Sequence, residues 1–348
     1  MVLVLGVSAG AGGAHAVLTH SDQPHLPPID YCHVPLRRGA GVEEPVFTAI
    51  QRMRTAAGQR DELITATAVT CRSERHADAV RAAAGRIQLT IVDEPLAQLR
   101  YLRFTGALTD EGVVALYDLG SSGLTLTLVD CRTDSILLDA HSVAPGGDNF
   151  DTLLCRRLAH EGVRIDQATS RRHREALGRS KVITATDLGG STRTVVTHND
   201  LAELFPEGLR YSAELLQRMI EKSQVDPEAL VLLGGCARNL DLRIQLAEII
   251  DLPIVYDAEP EYVSARGAVL IAAERPVAEV RMARSGTGIR VPPHPSRVDR
   301  RKLVAAAAVT LGLGATVAGL LTAQDGSAQP GDQPRTARVV GIPADPGR

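Results

Sequence analysis

The 348-residue chain contains no tryptophan, four methionines and only three lysines, Lys181, Lys222 and Lys302. Aromatic residues make up 3% of it, so aliphatic side chains must build the core. Every other cation is arginine and alanine is abundant, a bias of GC-rich coding for which an actinobacterial source is the expectation. A large excess of charge is missing too. The net charge of −3 points to neither a nucleic acid nor an acidic membrane surface as partner. Cys32, Cys71, Cys131, Cys155 and Cys236 form no CxxC pair and match no zinc spacing, so buried thiols in a reducing compartment are expected. The histidines, His15, His20 and His25 among them, show no metal spacing and are assigned no role. The apolar start Met1-Val2-Leu3-Val4-Leu5-Gly6-Val7 lacks an early cation, is short and runs at once into glycines. It reads as a first β-strand, not a signal peptide.

What is present falls into blocks. Residues 1–275 alternate strand-like and helix-like runs, and residues 276–302 are an Arg/Pro-rich linker. Residues 303–323 carry no charge, and residues 324–348 form a Pro/Gly/Asp tail that reads as disordered. The first block contains an internal duplication. Strand Val2–Val7, the turn Ser8-Ala9-Gly10-Ala11-Gly12-Gly13 and a second strand are matched by strand Val113–Gly120, the turn Ser121-Ser122-Gly123 and strand Leu124–Val129. A third strand follows each (Ile29 to Leu36; Ile136 to Val143), then a helix. Strand Leu63–Val69, Arg72, a helix through Ala84, strand Ile87–Val92 and a helix after Asp93-Glu94-Pro95 match a later series. That series is Leu230–Leu233, Gly234-Gly235-Cys236-Ala237-Arg238, a helix to Ile250, strand Pro253–Tyr256 and helix Tyr262–Ala273. The expected fold is α/β, with two lobes, residues 1–110 (shortened) and 111–275, around one central cleft.

A glycine turn between antiparallel strands gathers backbone N–H groups into one concavity that no Cβ blocks, which suits a phosphate. Two such turns in duplicated halves, with Gly234-Gly235 after a buried strand, place three anion-friendly loops on one cleft.

Five segments carry a family resemblance. Tyr117-Asp118-Leu119-Gly120-Ser121-Ser122-Gly123 resembles the second phosphate loop of the DnaK-type heat-shock chaperones, members of the actin-like ATPase superfamily with its ribonuclease-H-like fold. Pro145-Gly146-Gly147-Asp148-Asn149-Phe150-Asp151 resembles their Gly-Gly-Glu-Asp-Phe-Asp segment, and Val92-Asp93-Glu94-Pro95 their Asn-Glu-Pro segment. Leu233-Gly234-Gly235-Cys236-Ala237-Arg238 resembles their adenosine loop, and Pro260-Glu261 with Ala265-Arg266-Gly267-Ala268 their last conserved helix. The resemblance implies ATP or ADP with Mg2+ in the cleft. By it, Asp118 holds the hydrated metal and Glu94 positions the attacking water. Gly120, Ser121 and Ser122, with Gly10 and Gly12 of the first turn, contact phosphate. Gly147 lies at the sugar-phosphate end. Lys181 sits against the adenosine, between Asp148 and the Gly234-Gly235-Arg238 loop, with Glu261 nearby. Arg238 stacks on the base.

The departures from that pattern shape the functional expectation. The family's first loop begins with an aspartate where this chain has Ser8; Gly123 and Thr125 replace its Thr and Asp, and no lysine precedes Lys181. Phosphoryl transfer depends on charge placed around the phosphates, so hydrolysis is expected to be weak or absent while binding persists. Nothing after the linker resembles a peptide-binding domain. The expected role is a nucleotide-responsive switch or scaffold for an unknown protein partner. A scaffold that binds no nucleotide and an actin-like filament or division protein are the alternatives.

The run 303–323 is long enough to cross about 30 Å of hydrocarbon as a helix. Arg297, Arg300, Arg301 and Lys302 precede it and Asp325 follows. The positive-inside rule then predicts a single-pass protein of the cytoplasmic membrane, with residues 1–302 in the cytoplasm.

Overall fold

The computed structural model describes residues 2–274, apart from 25 and 38, together with residues 340–341. The linker, the apolar run 303–323 and nearly all of the tail lie outside the described residues. Among the described residues, no helix is long and apolar enough to cross a membrane.

Two sheets repeat one five-strand topology, and together they are consistent with a two-lobe actin-like fold. In the first, β1 (Leu3–Gly10), β2 (Gly13–His20), β3 (Asp30–Pro35), β4 (Ile64–Cys71) and β5 (Thr90–Asp93) lie in the order β3-β2-β1-β4-β5. In the second, β6 (Val113–Leu119), β7 (Leu124–Asp130), β8 (Ser135–Ser142), β11 (Ala229–Leu233) and β12 (Ile254–Tyr256) lie in the order β12-β11-β6-β7-β8. Each sheet is a hairpin extended by parallel strands that return through helices. A two-residue strand, β13 (Val340–Gly341), joins the β8 edge. The separate hairpin β9 (Val182–Thr186) and β10 (Arg193–Thr197) belongs to an elaboration of the second lobe.

The central strands are apolar on both faces because helices cover both. On β1, Leu3, Leu5, Val7 and Ala9 pack with Val46, Ala49, Ile50 and Met53 of α1 (Glu43–Gly58). The alternate residues Val4, Gly6 and Ser8 face the other way, where Val4 meets Ala265, Ala268 and Val269 of α9 (Val263–Glu274). The second lobe repeats the alternation. Ala115, Tyr117 and Leu119 of β6 enter one core, while Val114 and Leu116 pack with Leu99 and Leu102 of α3 (Glu94–Phe104). Period-two alternation therefore puts Ser8 and Asp118 at equivalent places, on the helix-facing side and one step past the packed residues.

The chain also crosses between the lobes. Helix α3, from the first half of the sequence, covers the second sheet, and α9, from the second half, covers the first. They meet where a Cβ on Gly267 would lie 1.8 Å from the Ala97 carbonyl oxygen. A Cβ on Gly6 would lie 2.0 Å from the Ala265 carbonyl, so β1 and α9 are equally close. The remaining helices are α2 (Glu74–Ala84), capped by Ser73, and α4 (Gly147–His160), α5 (Gln167–Leu177), α6 (His198–Ala202), α7 (Pro206–Ser223) and α8 (Leu240–Ile249).

The two hairpin turns share one steric requirement. Gly13 has φ +133° and an added Cβ would stand 2.1 Å from the Val34 carbonyl oxygen; Gly123 has φ +150° and would meet the Ser142 carbonyl oxygen at 2.1 Å. In both lobes the turn's last glycine is pressed under the third strand. Gly123→Ala is expected to lower stability by about 1–3 kcal/mol, read from the chemical-denaturation midpoint. A loss under about 0.5 kcal/mol would show that the turn relaxes freely.

Candidate functional site

The carboxyl ends of β1, β6 and β11 point into one cavity of about 740 Å³, the size of a small-molecule site. Gly10 and Gly12 line it from the first turn, Gly120, Ser121 and Ser122 from the second, and Gly234, Gly235 and Arg238 from the segment after β11; Glu94, Asp118 and Glu261 also line it. Gly234 has φ +81°, and a Cβ there would meet the Leu119 carbonyl oxygen at 2.5 Å and Asp118 Oδ1 at 2.6 Å. Glycine at 234 therefore lets the third loop lie flat against the end of β6.

The second turn is braced from behind. The Gly147 and Asp148 N–H groups, at the start of α4, donate to the Gly120 and Ser121 carbonyls at 2.9 and 2.8 Å. These residues shape the turn and do not line the cavity themselves. The Ser121 and Ser122 N–H groups donate to no other backbone group among the described residues, which leaves them for a ligand. The two turns also lie close together, since a Cβ on Gly12 would fall 2.6 Å from Ser121 Oγ.

At the base of the cavity lies an ion cluster whose cation the sequence reading did not foresee. Arg72, just past β4, donates from Nε to Glu94 Oε2 at 2.9 Å and from Nη2 to Asp118 Oδ2 at 2.7 Å. Gln98 Nε2 gives Asp118 Oδ2 a second bond at 3.1 Å and reaches Ser264 Oγ at 3.0 Å, tying α3 to α9 through the site. Burial pushes the Glu94 carboxyl above its ordinary range and Asp118 adds to the rise, while Arg72 opposes it. Burial works against the Arg72 charge, but Asp118 and Glu94 outweigh it and hold the guanidinium protonated.

Asp118 was expected to hold a hydrated magnesium, and the geometry does not fit that role. One carboxylate oxygen takes Arg72 and Gln98, and the other faces Gly234. Among the described residues, no group of three or more His, Cys, Asp or Glu side chains is placed to hold a metal.

The opposite wall comes from α5. Arg171, Arg174 and Gly178 line the cavity at helical spacing. Arg174 Nε donates to Asp151 Oδ1 at 2.6 Å, Nη2 to Oδ2 at 3.3 Å, and Nη1 approaches Cys236 Sγ at 3.7 Å. Asp151, the last residue of the Pro145–Asp151 segment, is thus the anchor that seats α5 on α4. Lys181, expected against the adenosine, is exposed at the start of β9 and does not line the cavity. It follows the end of α5, and its carbonyl accepts from the His198 N–H at 3.0 Å. Arg238 pairs with Glu261 at 3.1 Å, and Glu261 Oε2 is buried without a hydrogen-bond partner.

An aromatic corner closes the first lobe's side. His15 stacks on His33, its cross-strand partner, with ring centroids 4.5 Å apart, and meets Tyr262 edge-on at 5.0 Å. Burial first, then His33, Arg171 and Arg238, push His15 down from its ordinary 6.5 to about 3. A depressed imidazole pKa means that the unfolded chain binds the proton first as pH falls. Stability from this group is therefore present above about 6.5 and lost toward 3, by at most about 1.4 kcal/mol per pH unit. His15→Phe is expected to flatten the fall in melting temperature between about pH 7 and 5; an unchanged slope would assign the acid sensitivity elsewhere.

Sequence comparison agrees with this architecture. The chain is 26% identical over 290 residues to the chaperone protein HscA homolog of Burkholderia mallei, covering 74% of this chain and 45% of that protein. It is 28% identical to the counterpart in Burkholderia multivorans over the same shares. The chain thus spans less than half the length of the curated relatives it matches. These likenesses support the heat-shock-chaperone and actin-like ATPase family. They lend no support to the actinobacterial source. No protein-family model matches the chain.

Proposed function

We propose that this chain is a chaperone-type nucleotide-binding protein, holding ADP or ATP with little or no hydrolysis and acting as a switch or scaffold for a protein partner. One observation carries the reading: both glycine turns and the Gly234-Gly235 segment line a single cavity. The free Ser121 and Ser122 N–H groups suit phosphate oxygens. The orphaned Glu261 Oε2 suits a ligand hydroxyl, such as that of a ribose. Arg171 and Arg174 of α5 line the same cavity and would border the base of a bound nucleotide. Ser8 in place of a carboxylate and Arg72 across Glu94 and Asp118 support weak hydrolysis, because the groups that would position water are already engaged. The run 303–323 would tether the protein to the cytoplasmic membrane with residues 1–302 inside. Protection of a tag on the tail from external protease would contradict that orientation.

The close approach of Gly12 to Ser121 favours a second reading, a scaffold that binds no nucleotide. Melting the full chain with rising ADP or ATP separates the two. A ligand at one hundred times its dissociation constant adds about 2.7 kcal/mol, a shift of several degrees. No shift at millimolar nucleotide would leave the scaffold reading standing.

A further inference from the structure

We propose that Arg72 is a built-in cation that replaces the divalent metal at this cleft, so that the chain binds a nucleoside di- or triphosphate independently of magnesium. The inference rests on the nucleotide reading above. A guanidinium has five N–H donors, and Arg72 directs one to Glu94 and one to Asp118. The residue lines the same cavity as both glycine turns, where its remaining donors would serve phosphate oxygens. A magnesium ion requires near-octahedral oxygen ligands at about 2.0–2.1 Å and usually takes one or two carboxylates. Glu94 and Asp118, which line the cavity with the turns, are already bridged by a cation 2.9 and 2.7 Å away. A metal on either one would sit against the guanidinium as a like charge, and among the described residues no group of three or more His, Cys, Asp or Glu side chains is placed to hold it. Ser8 faces the cavity where a second aspartate would have been needed. The absent carboxylate and the added arginine thus act in the same direction: both remove the metal and keep the site's positive charge.

The test is titration of the full chain with ADP and ATP, by calorimetry, in magnesium and in EDTA. The expected dissociation constants agree within about twofold between the two conditions. Tighter binding by tenfold or more in magnesium would overturn the inference and leave the nucleotide reading intact. No binding in either condition would overturn both. Arg72→Lys adds an independent arm. A point charge on a flexible stem cannot bridge both carboxylates as the planar fork does, so this variant is expected to bind several-fold more weakly, still without a magnesium effect. Unaltered affinity and metal independence in Arg72→Lys would show that the fork is not the cation in use, and would overturn it.

Discussion

Replacing Arg72 by Met lowers the folding stability of the chain by about 3–5 kcal/mol at neutral pH, the cost of leaving buried charge without its partner. The side chains of Glu94 and Asp118 are 7% and 11% exposed, and Arg72 is the only cation that pairs with either among the described residues. Their desolvation is offset in the native state by two charge-assisted bonds and by Gln98. The deficit should depend on pH with a definite sign. The Glu94 carboxyl is raised in the folded chain by burial, and removing Arg72 takes away the strongest influence pulling it down. A carboxyl raised above its unfolded value stabilises the fold below about pH 4.3, and that contribution is lost as pH rises through the folded pKa. Urea unfolding of wild type and Arg72→Met should therefore show a gap that is wide near pH 7 and narrows near pH 5. A gap below about 1 kcal/mol, or one independent of pH, would show that water already reaches the pair.

The second large effect lies on the facing wall. Arg174→Met is expected to cost a similar 3–5 kcal/mol, because Asp151 has no exposed side-chain surface and no other ion-pair partner among the described residues. Burial pushes Asp151 up and Arg174 opposes it. The double variant Asp151→Asn with Arg174→Met removes the charge as well as its partner, so it should be more stable than the single Arg174 variant. The coupling is read from a double-mutant cycle. Additive losses would mean that the two residues act separately, and α5 would then need another anchor.

These two ion clusters also mark the limit of what the sequence made legible. The duplication was visible because each half repeats a strand, a glycine turn and a strand, and the steric cause appears in Gly13 and Gly123, each pressed under a carbonyl. The placing of Gly10, Gly12, Gly120, Ser121, Gly234, Gly235, Glu94, Asp118 and Glu261 on one cavity follows from motif order and strand ends. Arg72 was hidden because nothing in its neighbourhood distinguishes it from the many other arginines, and its role arises only when β4, β5 and β6 bring three distant positions together. Lys181 misled because lysine is rare here and so looked meaningful. Helical spacing on α5 would have pointed to Arg171 and Arg174 instead. The exchange of α3 and α9 between sheets was not legible either, since the small residues of Ala265–Ala268 are compatible with many close packings until Ala97 is known to face Gly267.

The central claim is that one ligand is held jointly by three loops: Gly10–Gly13, Gly120–Gly123 and Gly234–Arg238. Amide hydrogen exchange of the full chain, with and without saturating ADP, tests it most directly. Slower exchange is expected in all three loops together, with the Ser121 and Ser122 amides among the most protected. Unchanged exchange in these loops, or protection confined to a surface away from them, would contradict it.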